Sequence, residues 1–352
     1  MAMIARIAAV QRELRSLDIP AVLITNLSDV RYLSGFTGTT AYMLVDLEKA
    51  VFFTDGRYSI QAAEEVSENI VVEILKDYSN IYTERCSVFK KILLQPSCSI
   101  NISSKIAAQG VEIYLDEKDF MQKLRMIKDN AEISLIKEQY NLAGRAFLRA
   151  LKSFKYDTSE KSWAAALEYH IKMLGAKGES FETIVASGVR GAMPHGTASA
   201  KKVSENEPVI IDFGSRDIYT SDYTRMIYAG NDAEVLKVID IVRSALEKAV
   251  ESIAEGIACS DIYKEARSYI DEHGYGAYFN HSLGHGVGID VHELPVLKAE
   301  SNFLIEDNMI FTIEPGIYIP EKFGVRLEQT VLINNGKPEI IVQHLISMYI
   351  IY

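Results

Sequence analysis

"HSLGHGVGIDVHELP", residues 281–295, sets His281, His285 and His292 among Leu283, Val287, Ile289, Val291 and Leu294. The chain has seven histidines in 352 residues, so three in one short stretch need a reason. A solvated surface would not alternate imidazoles with branched aliphatics, and an ordinary core would not accept three polar rings without partners. The stretch reads as one wall of a site. Its meaning depends on what else in the chain converges on it.

Carboxylates are the candidates. "EPVIIDFGSRDIYTSDYTRMIYAG" (207–230) has the pattern of a hairpin: Val209-Ile210-Ile211 delivers Asp212 to a strand end, a turn follows at Arg216-Asp217, and a second strand carries Asp222. "NMIFTIEPGIYIPEKFGVRLEQTVLI" (308–333) repeats the arrangement with Glu314 and Glu328. Each acid interrupts or ends an apolar β-rich segment, where an unpaired carboxylate is costly. Two readings stand level on the residues alone. Each acid pairs separately with a cation, Arg225 and Arg326 being near in sequence, or the four acids and one histidine converge on divalent metal. Four carboxylates gathered without cations would raise one another's pKa values, and two divalent ions would balance their charge. Mostly oxygen donors with one imidazole suit Mn²⁺, Co²⁺ or Fe²⁺, with Zn²⁺ also possible.

The rest of the chain bounds the setting. A length of 352 residues exceeds the usual single core and favours two domains. Hydrophobic residues at 48% and charged residues at 24% match an ordinary globular protein, and no apolar run approaches the roughly 20 residues that span a bilayer. The opening "MAMIARIAAVQRELRSLD" places Ile4, Ile7, Val10, Leu14 and Leu17 at helical spacing between charges. It is an amphipathic helix rather than a secretory segment, and the cytoplasm is the default address. Cys86, Cys98 and Cys259 are odd in number and lack CxxC spacing, so no disulfide framework is expected. A net charge of −11 without a basic run argues against a nucleic-acid partner.

Residues 1–124 alternate helix and strand signals: strands at 21–26, 41–46 and 50–55, helical patterns around 59–68 and 79–94. A long helix-period segment covers 124–154. Asp129/Glu132, Asp157/Glu160 and Asn231/Glu234 have capping-box spacing, and a further helix runs from Ser260 to His273. From there the order is helix, helix, strands, then again helix, helix, strands, which suggests two similar halves about one site.

These residues carry a family resemblance. "SDYTR" (221–225), "HSLGHGVGIDVHELP", "TIEPGIY" (312–318) and "GVRLEQTVL" (324–332) resemble the motif series of the pita-bread metallopeptidases, which include methionine aminopeptidase, aminopeptidase P and prolidase. "NLSDVRYLSGFTG" (26–38) and "FFTDGRY" (52–58) resemble the creatinase-type N-terminal domain. The resemblance implies an α/β (α+β) chain with a creatinase-like α/β domain at 1–124 and a pita-bread catalytic domain with pseudo-two-fold halves at 125–352. It implies that Asp212, Asp222, His285, Glu314 and Glu328 hold two divalent ions per subunit, Mn²⁺ or Co²⁺ first and Zn²⁺ or Fe²⁺ as alternatives. It makes Glu314, His292 and His195 (in "MPHG") catalytic, and His195, His281, His292, Arg326 and Tyr318 substrate-binding.

The implied activity is hydrolysis of Xaa-Pro bonds by a metal-activated hydroxide, with Xaa-Pro dipeptidase (prolidase) ahead of Xaa-Pro aminopeptidase acting on longer peptides. A non-enzymatic peptide-binding module is the distant third, disfavoured by the complete ligand set. The family also implies a homodimer in which the loop "SGFTGTT" (34–40) reaches toward the partner's active site. Two positions depart from the pattern. Asp212 and Asp222 are one position closer together than in most relatives, and Val296 follows the H-E-x-P segment where many relatives have a basic residue, Lys298 being the nearest cation. The other histidines and Trp163 have plain expectations: His170 packs within a helix, His273 ends one, His344 has no evident partner, and Trp163 belongs to the core.

Overall fold

The strand signals of the N-terminal third form one mixed sheet. The computed structural model describes residues 2–117, 119–341 and 349–351, and the chain divides into units Met1–Arg125 and Met126–Tyr352. In the first unit the strands are β1 (Ala21–Ile24), β2 (Tyr42–Asp46), β3 (Ala50–Asp55), β4 (Val71–Leu75), β5 (Lys91–Leu94) and β6 (Glu112–Leu115), ordered β4-β3-β2-β1-β5-β6. Its helices are α1 (Ala2–Ser16), α2 (Leu27–Ser34), α3 (Ser59–Glu65), α4 (Ile100–Ala107) and α5 (Phe120–Met126). Helix α1 buries Ile7, Val10 and Leu14 but leaves Ile4 exposed, and Leu17, exposed too, lies just past its end, so the apolar stripe is narrower than its spacing suggests. The helical pattern over 79–94 resolves into a π-helical turn, Ile81–Cys86, followed by strand β5. Ile92-Leu93-Leu94 is a short buried run, which periodicity cannot assign to either class.

In the second unit α6 (Asn130–Leu151) and α7 (Glu160–Met173) precede β7 (Gly178–Glu179), β8 (Ile184–Ser187), β9 (Val209–Phe213), β10 (Ser215–Arg216) and β11 (Tyr223–Tyr228). Helices α8 (Ala233–Glu251) and α9 (Cys259–Glu272) then precede β12 (Gly284–Gly286), β13 (Glu293–Leu297), β14 (Ile310–Ile313), β15 (Gly316–Ile319), β16 (Phe323–Arg326), β17 (Gln329–Asn334), β18 (Lys337–Ile340) and β19 (Tyr349–Ile351). Of its larger sheets one runs β19-β11-β9-β8 and another β13-β12-β14-β17-β18, so that, β19 apart, each helix pair is followed by its own larger sheet. Val238, Val242, Ala245, Ile262 and Ala266 from the second helix pair bury against Phe311, Ile313 and Val331.

The single segment expected over 124–154 is broken at Asp129, whose carboxylate accepts the Ala131 and Glu132 amides while Glu132 reaches back to the Asp129 amide. The other two caps lie later than their spacing indicates. Ser159, not Asp157, caps α7, and Asp232, not Asn231, caps α8. Asp157 has a positive φ of 66° and pairs with Lys202 instead. The 308–333 hairpin is two nested pairs, β14 with β17 and β15 with β16.

Trp163 is buried edge-on against Phe147 and Phe154. His170 is half-buried beside Tyr169, and His273 caps α9 with Nδ1 2.7 Å from the Tyr269 carbonyl. His344 lies outside the described residues. The three cysteines are free. Among the described residues no helix is long and apolar enough to cross a membrane.

Candidate metal centre

Strand register gathers the acids. Pairing of β9 with β11 sets Asp212 opposite Thr224 and Phe213 opposite Tyr223, with Asp222 one residue before β11. Pairing of β14 with β17 sets Ile313 opposite Gln329, so Glu314 and Glu328 flank the end of that ladder. Carboxylate oxygens of Asp212, Asp222 and Glu328 lie within 4.8 Å of one another. His285, central in β12, brings Nε2 to 3.5 Å from Asp222 Oδ2 and 3.2 Å from Glu314 Oε1. Its Nδ1 donates to the Gly286 carbonyl at 3.1 Å, which turns Nε2 toward the acids. A Cβ on Gly284 would sit 1.9 Å from the Thr312 carbonyl oxygen, so only glycine lets β12 lie this close to β14.

Separate pairing with cations accounts for one of the four acids. Arg326 Nη2 donates to Asp212 Oδ2 at 2.6 Å, while Arg225 Nη1 donates to the Thr224 and Glu328 carbonyls. Among the described residues Asp222, Glu314 and Glu328 have no Lys or Arg partner. Asp212 Oδ1 and Glu328 Oε1 are buried without any hydrogen-bond partner. Buried polar atoms left in that condition are rare and call for an occupant. Converging oxygen lone pairs beside an imidazole nitrogen fit a divalent cation and fit no neutral ligand as well.

The electrostatics agree. Burial, then Glu314 and Asp212, push Glu328 up to about 8. Burial, then Glu328 and Asp212, raise Asp222 well above the carboxylate range, and burial raises Asp212 despite Arg326. Glu314 is also opposed by burial, but the hydrogen bond and charge of His285 hold it down at about 2. Like charges crowded in low dielectric cannot all ionise without a counter-charge.

A second layer surrounds the acids. Arg326 Nη1 donates to Tyr318 Oη at 2.9 Å and to the Pro194 carbonyl at 3.1 Å, and its Nε donates to Thr224 Oγ1 at 3.0 Å. His281 Nδ1 donates to the Ser282 carbonyl, leaving Nε2 to accept from Tyr318 Oη at 3.0 Å. Burial lowers the pKa of His281 and of His292, which favours neutral rings. The His292 ring stands edge-on to His285 with centroids 4.3 Å apart, and both His292 and His195 are exposed. Val296 pairs with His285 across β12 and β13, and Lys298 is exposed.

Residues 134–335 match Metallopeptidase family M24, and residues 6–127 match the Creatinase/Prolidase N-terminal domain. The chain belongs to metallopeptidase family M24. It is 37% identical over 323 residues to an Xaa-Pro dipeptidase of Pyrococcus horikoshii, covering 91% of each chain. An Xaa-Pro dipeptidase structure from Bacillus anthracis superimposes with TM-score 0.94 at 31% identity, over 99% of this chain and 100% of that one. The X-Pro aminopeptidase of Thermotoga maritima superimposes with TM-score 0.86 at 34% identity, over 97% and 100%. The fold is the creatinase-like N-terminal domain followed by the pita-bread catalytic domain.

Three threonines of this M24 peptidase escape motif reading. Thr224, Thr312 and Thr330 stand two residues from Asp222, Glu314 and Glu328 respectively, hence on the same strand face. Thr224 binds Arg326, Thr312 donates to Glu314 Oε1 at 3.2 Å, and Thr330 donates to the Tyr140 hydroxyl. The period of two would have found them.

Proposed function

We propose that this M24 member is an Xaa-Pro dipeptidase, a prolidase. The observation that carries this reading is the buried cluster of four carboxylates and His285 with two carboxylate oxygens lacking any donor. Its likeness over nearly the full chain to proteins named Xaa-Pro dipeptidase supports the substrate class. Asp212, Asp222, His285, Glu314 and Glu328 would hold two divalent cations, Mn²⁺ or Co²⁺ before Zn²⁺ or Fe²⁺ because oxygen donors dominate. Cations bound there would supply a water ionised near neutral pH and would polarise the scissile carbonyl.

The chain's own groups do the rest. Glu314 accepts the proton of the attacking water at a carboxylate oxygen. Arg326 holds both Asp212 and Tyr318, and Tyr318 in turn orients neutral His281. His292 and His195, both exposed beside the cluster's second layer, donate to the substrate carbonyl, and the proton taken up by Glu314 passes to the leaving nitrogen. A proline nitrogen has no N–H and a fixed φ, so this aimed donation substitutes for the backbone contacts of a general peptidase.

One observation favours a second reading. The position directly after the H-E-x-P segment is Val296, half-buried, and the nearest cation in sequence, Lys298, is exposed, whereas a dipeptide's free carboxylate needs a cation. Xaa-Pro aminopeptidase action on longer peptides is therefore the alternative. The assignment takes residues 1–124 as the creatinase-type domain and 125–352 as the catalytic domain, in a cytoplasmic homodimer whose loop 34–40 limits substrate length at the partner's site.

Hydrolysis of alanyl-proline and of alanyl-prolyl-alanine by chelated protein, with Mn²⁺, Co²⁺ or Zn²⁺ restored singly, tests the reading. Dipeptide cleavage supports it, and tripeptide cleavage alone selects the aminopeptidase. No cleavage with any metal would leave a peptide-binding module.

A further inference from the structure

Between β8 and β9 the chain makes a long excursion, residues 188–208, that carries His195 and the Pro194 carbonyl gripped by Arg326. Apolar anchoring is slight around His195, where Val189 and Met193 are exposed, at 56% and 45%, and the buried aliphatic of the excursion, Val203, lies further along. Polar bonds hold the segment instead, and among them one buried carboxylate outside the metal cluster gathers the part around His195. Glu160, the first residue of α7, is 0% exposed. Its Oε1 accepts the Ser187 amide at 2.9 Å and the Ser187 hydroxyl at 2.8 Å. Its Oε2 accepts Arg190 Nε at 2.9 Å, the Ser199 amide at 3.0 Å and the Ser199 hydroxyl at 2.6 Å. Five donors from three residues thus close on one side chain, which ties the start of the excursion to the far side of His195.

The surrounding charges reinforce the tie. Arg190 Nη2 donates to the Thr197 carbonyl, bridging across His195, and Lys201 Nζ donates to Ser187 Oγ and to Glu207. The middle of the segment is held by shape: a Cβ on Gly324 would lie 1.9 Å from the Gly191 carbonyl oxygen, so the segment lies directly on β16, two residues before Arg326. Charge-assisted bonds to a buried carboxylate are the strong ones, and this carboxylate has its oxygens filled by this one segment.

We propose that Glu160 is a positioning residue for substrate: it clamps residues 187–199 at both ends and so fixes His195 at the mouth of the site. This rests on the reading of His195 as substrate-facing. The clamp acts chiefly on affinity, because the Glu160 side chain touches neither the acids nor Arg326, and its segment meets Arg326 only through the Pro194 carbonyl.

Glu160→Gln tests it, since the amide keeps the shape and one acceptor oxygen but turns donors toward Arg190 and Ser199. In Mn²⁺-loaded protein with alanyl-proline, KM should rise on the order of tenfold with kcat within about twofold, the loss expected from charge-assisted bonds exchanged for water. Bound Mn²⁺ should be unchanged, and trypsin should cleave after Arg190 faster than in the parent protein. Ser199→Ala, which removes one hydroxyl, should move KM and cleavage the same way by a smaller factor, and it decides the matter if Glu160→Gln does not fold. His195→Ala separates the two readings. If it leaves KM unchanged while Glu160→Gln still speeds cleavage, the role of His195 is wrong and the clamp stands. If His195→Ala raises KM but Glu160→Gln, or Ser199→Ala in its place, alters neither KM nor cleavage, the clamp is overturned.

Discussion

Arg326→Lys is the substitution from which most can be learned. Arg326 is 3% exposed and spans four acceptors with three nitrogens: Asp212 Oδ2 at 2.6 Å, Tyr318 Oη at 2.9 Å, the Pro194 carbonyl at 3.1 Å and Thr224 Oγ1 at 3.0 Å. A lysine keeps the charge but presents one point in place of a planar fork, so it can hold Asp212 or the Tyr318–Pro194 pair but not the whole set. Each hydrogen bond to a charged group is worth about 1.5–3 kcal/mol, and water entering the space left by the guanidinium returns part of that. Loss of two such bonds gives a net of roughly 3 kcal/mol, or on the order of 100-fold in kcat/KM. Steady-state hydrolysis of alanyl-proline at saturating Mn²⁺ measures it. Bound metal should be retained, since the ligand acids are untouched. Tyr318→Phe, which removes one partner, should cost about tenfold or less. A kcat/KM for Arg326→Lys within about threefold of the parent would refute the reasoning, because charge alone would then suffice.

Three further outcomes are expected. The stabilisation given by Mn²⁺ should grow from pH 5 to pH 8: Glu328 lies near 8, above its usual 4.5, so its contribution to the metal-free fold is complete below about 4.5 and lost as pH rises through 8, whereas a bound cation removes that loss. A metal-free to metal-loaded gap in Tm that stays constant over this range would contradict it. Lys128 and Glu293 form an ion pair at 3.2 Å with both side chains 1% exposed, so Lys128→Met should destabilise by about 3–5 kcal/mol and Lys128→Met/Glu293→Gln should recover most of it in urea unfolding. Asp129→Ala should cost about 1 kcal/mol through the lost cap and leave kcat/KM unchanged; a larger loss would mean that α6 depends on Asp129 for more than its first amides.

Much of the site was legible because its chemistry conflicts with its surroundings. Asp212, Asp222, Glu314 and Glu328 stand out as acids in apolar strand sequence, and His285 as an imidazole among glycines and aliphatics. The helix pairs were legible from the 3.6-residue period, and Asp129 from its spacing to Glu132. What was hidden depends on folding that a linear pattern does not encode. The cap of α7 moved to Ser159 because the backbone turns through a positive φ at Asp157. Strand β5 falls inside a helical pattern because three buried aliphatics in a row fit either period. Glu160 passed as a capping residue, since nothing local announces that Ser187, Arg190 and Ser199 fold back onto it. Thr224, Thr312 and Thr330 were readable in principle, by stepping two residues from each acid along its strand.

The role of every residue around the cluster depends on whether the buried acids are a cation cradle. Elemental analysis of bound metal, after chelation and re-equilibration with Mn²⁺, measures this on the parent protein and on Glu328→Gln, which replaces the carboxylate whose Oε1 has no donor. Two cations per chain in the parent and fewer in the variant is the expected result. No retained cation in a folded parent protein would contradict the central claim, and with it every role assigned to the residues around the cluster.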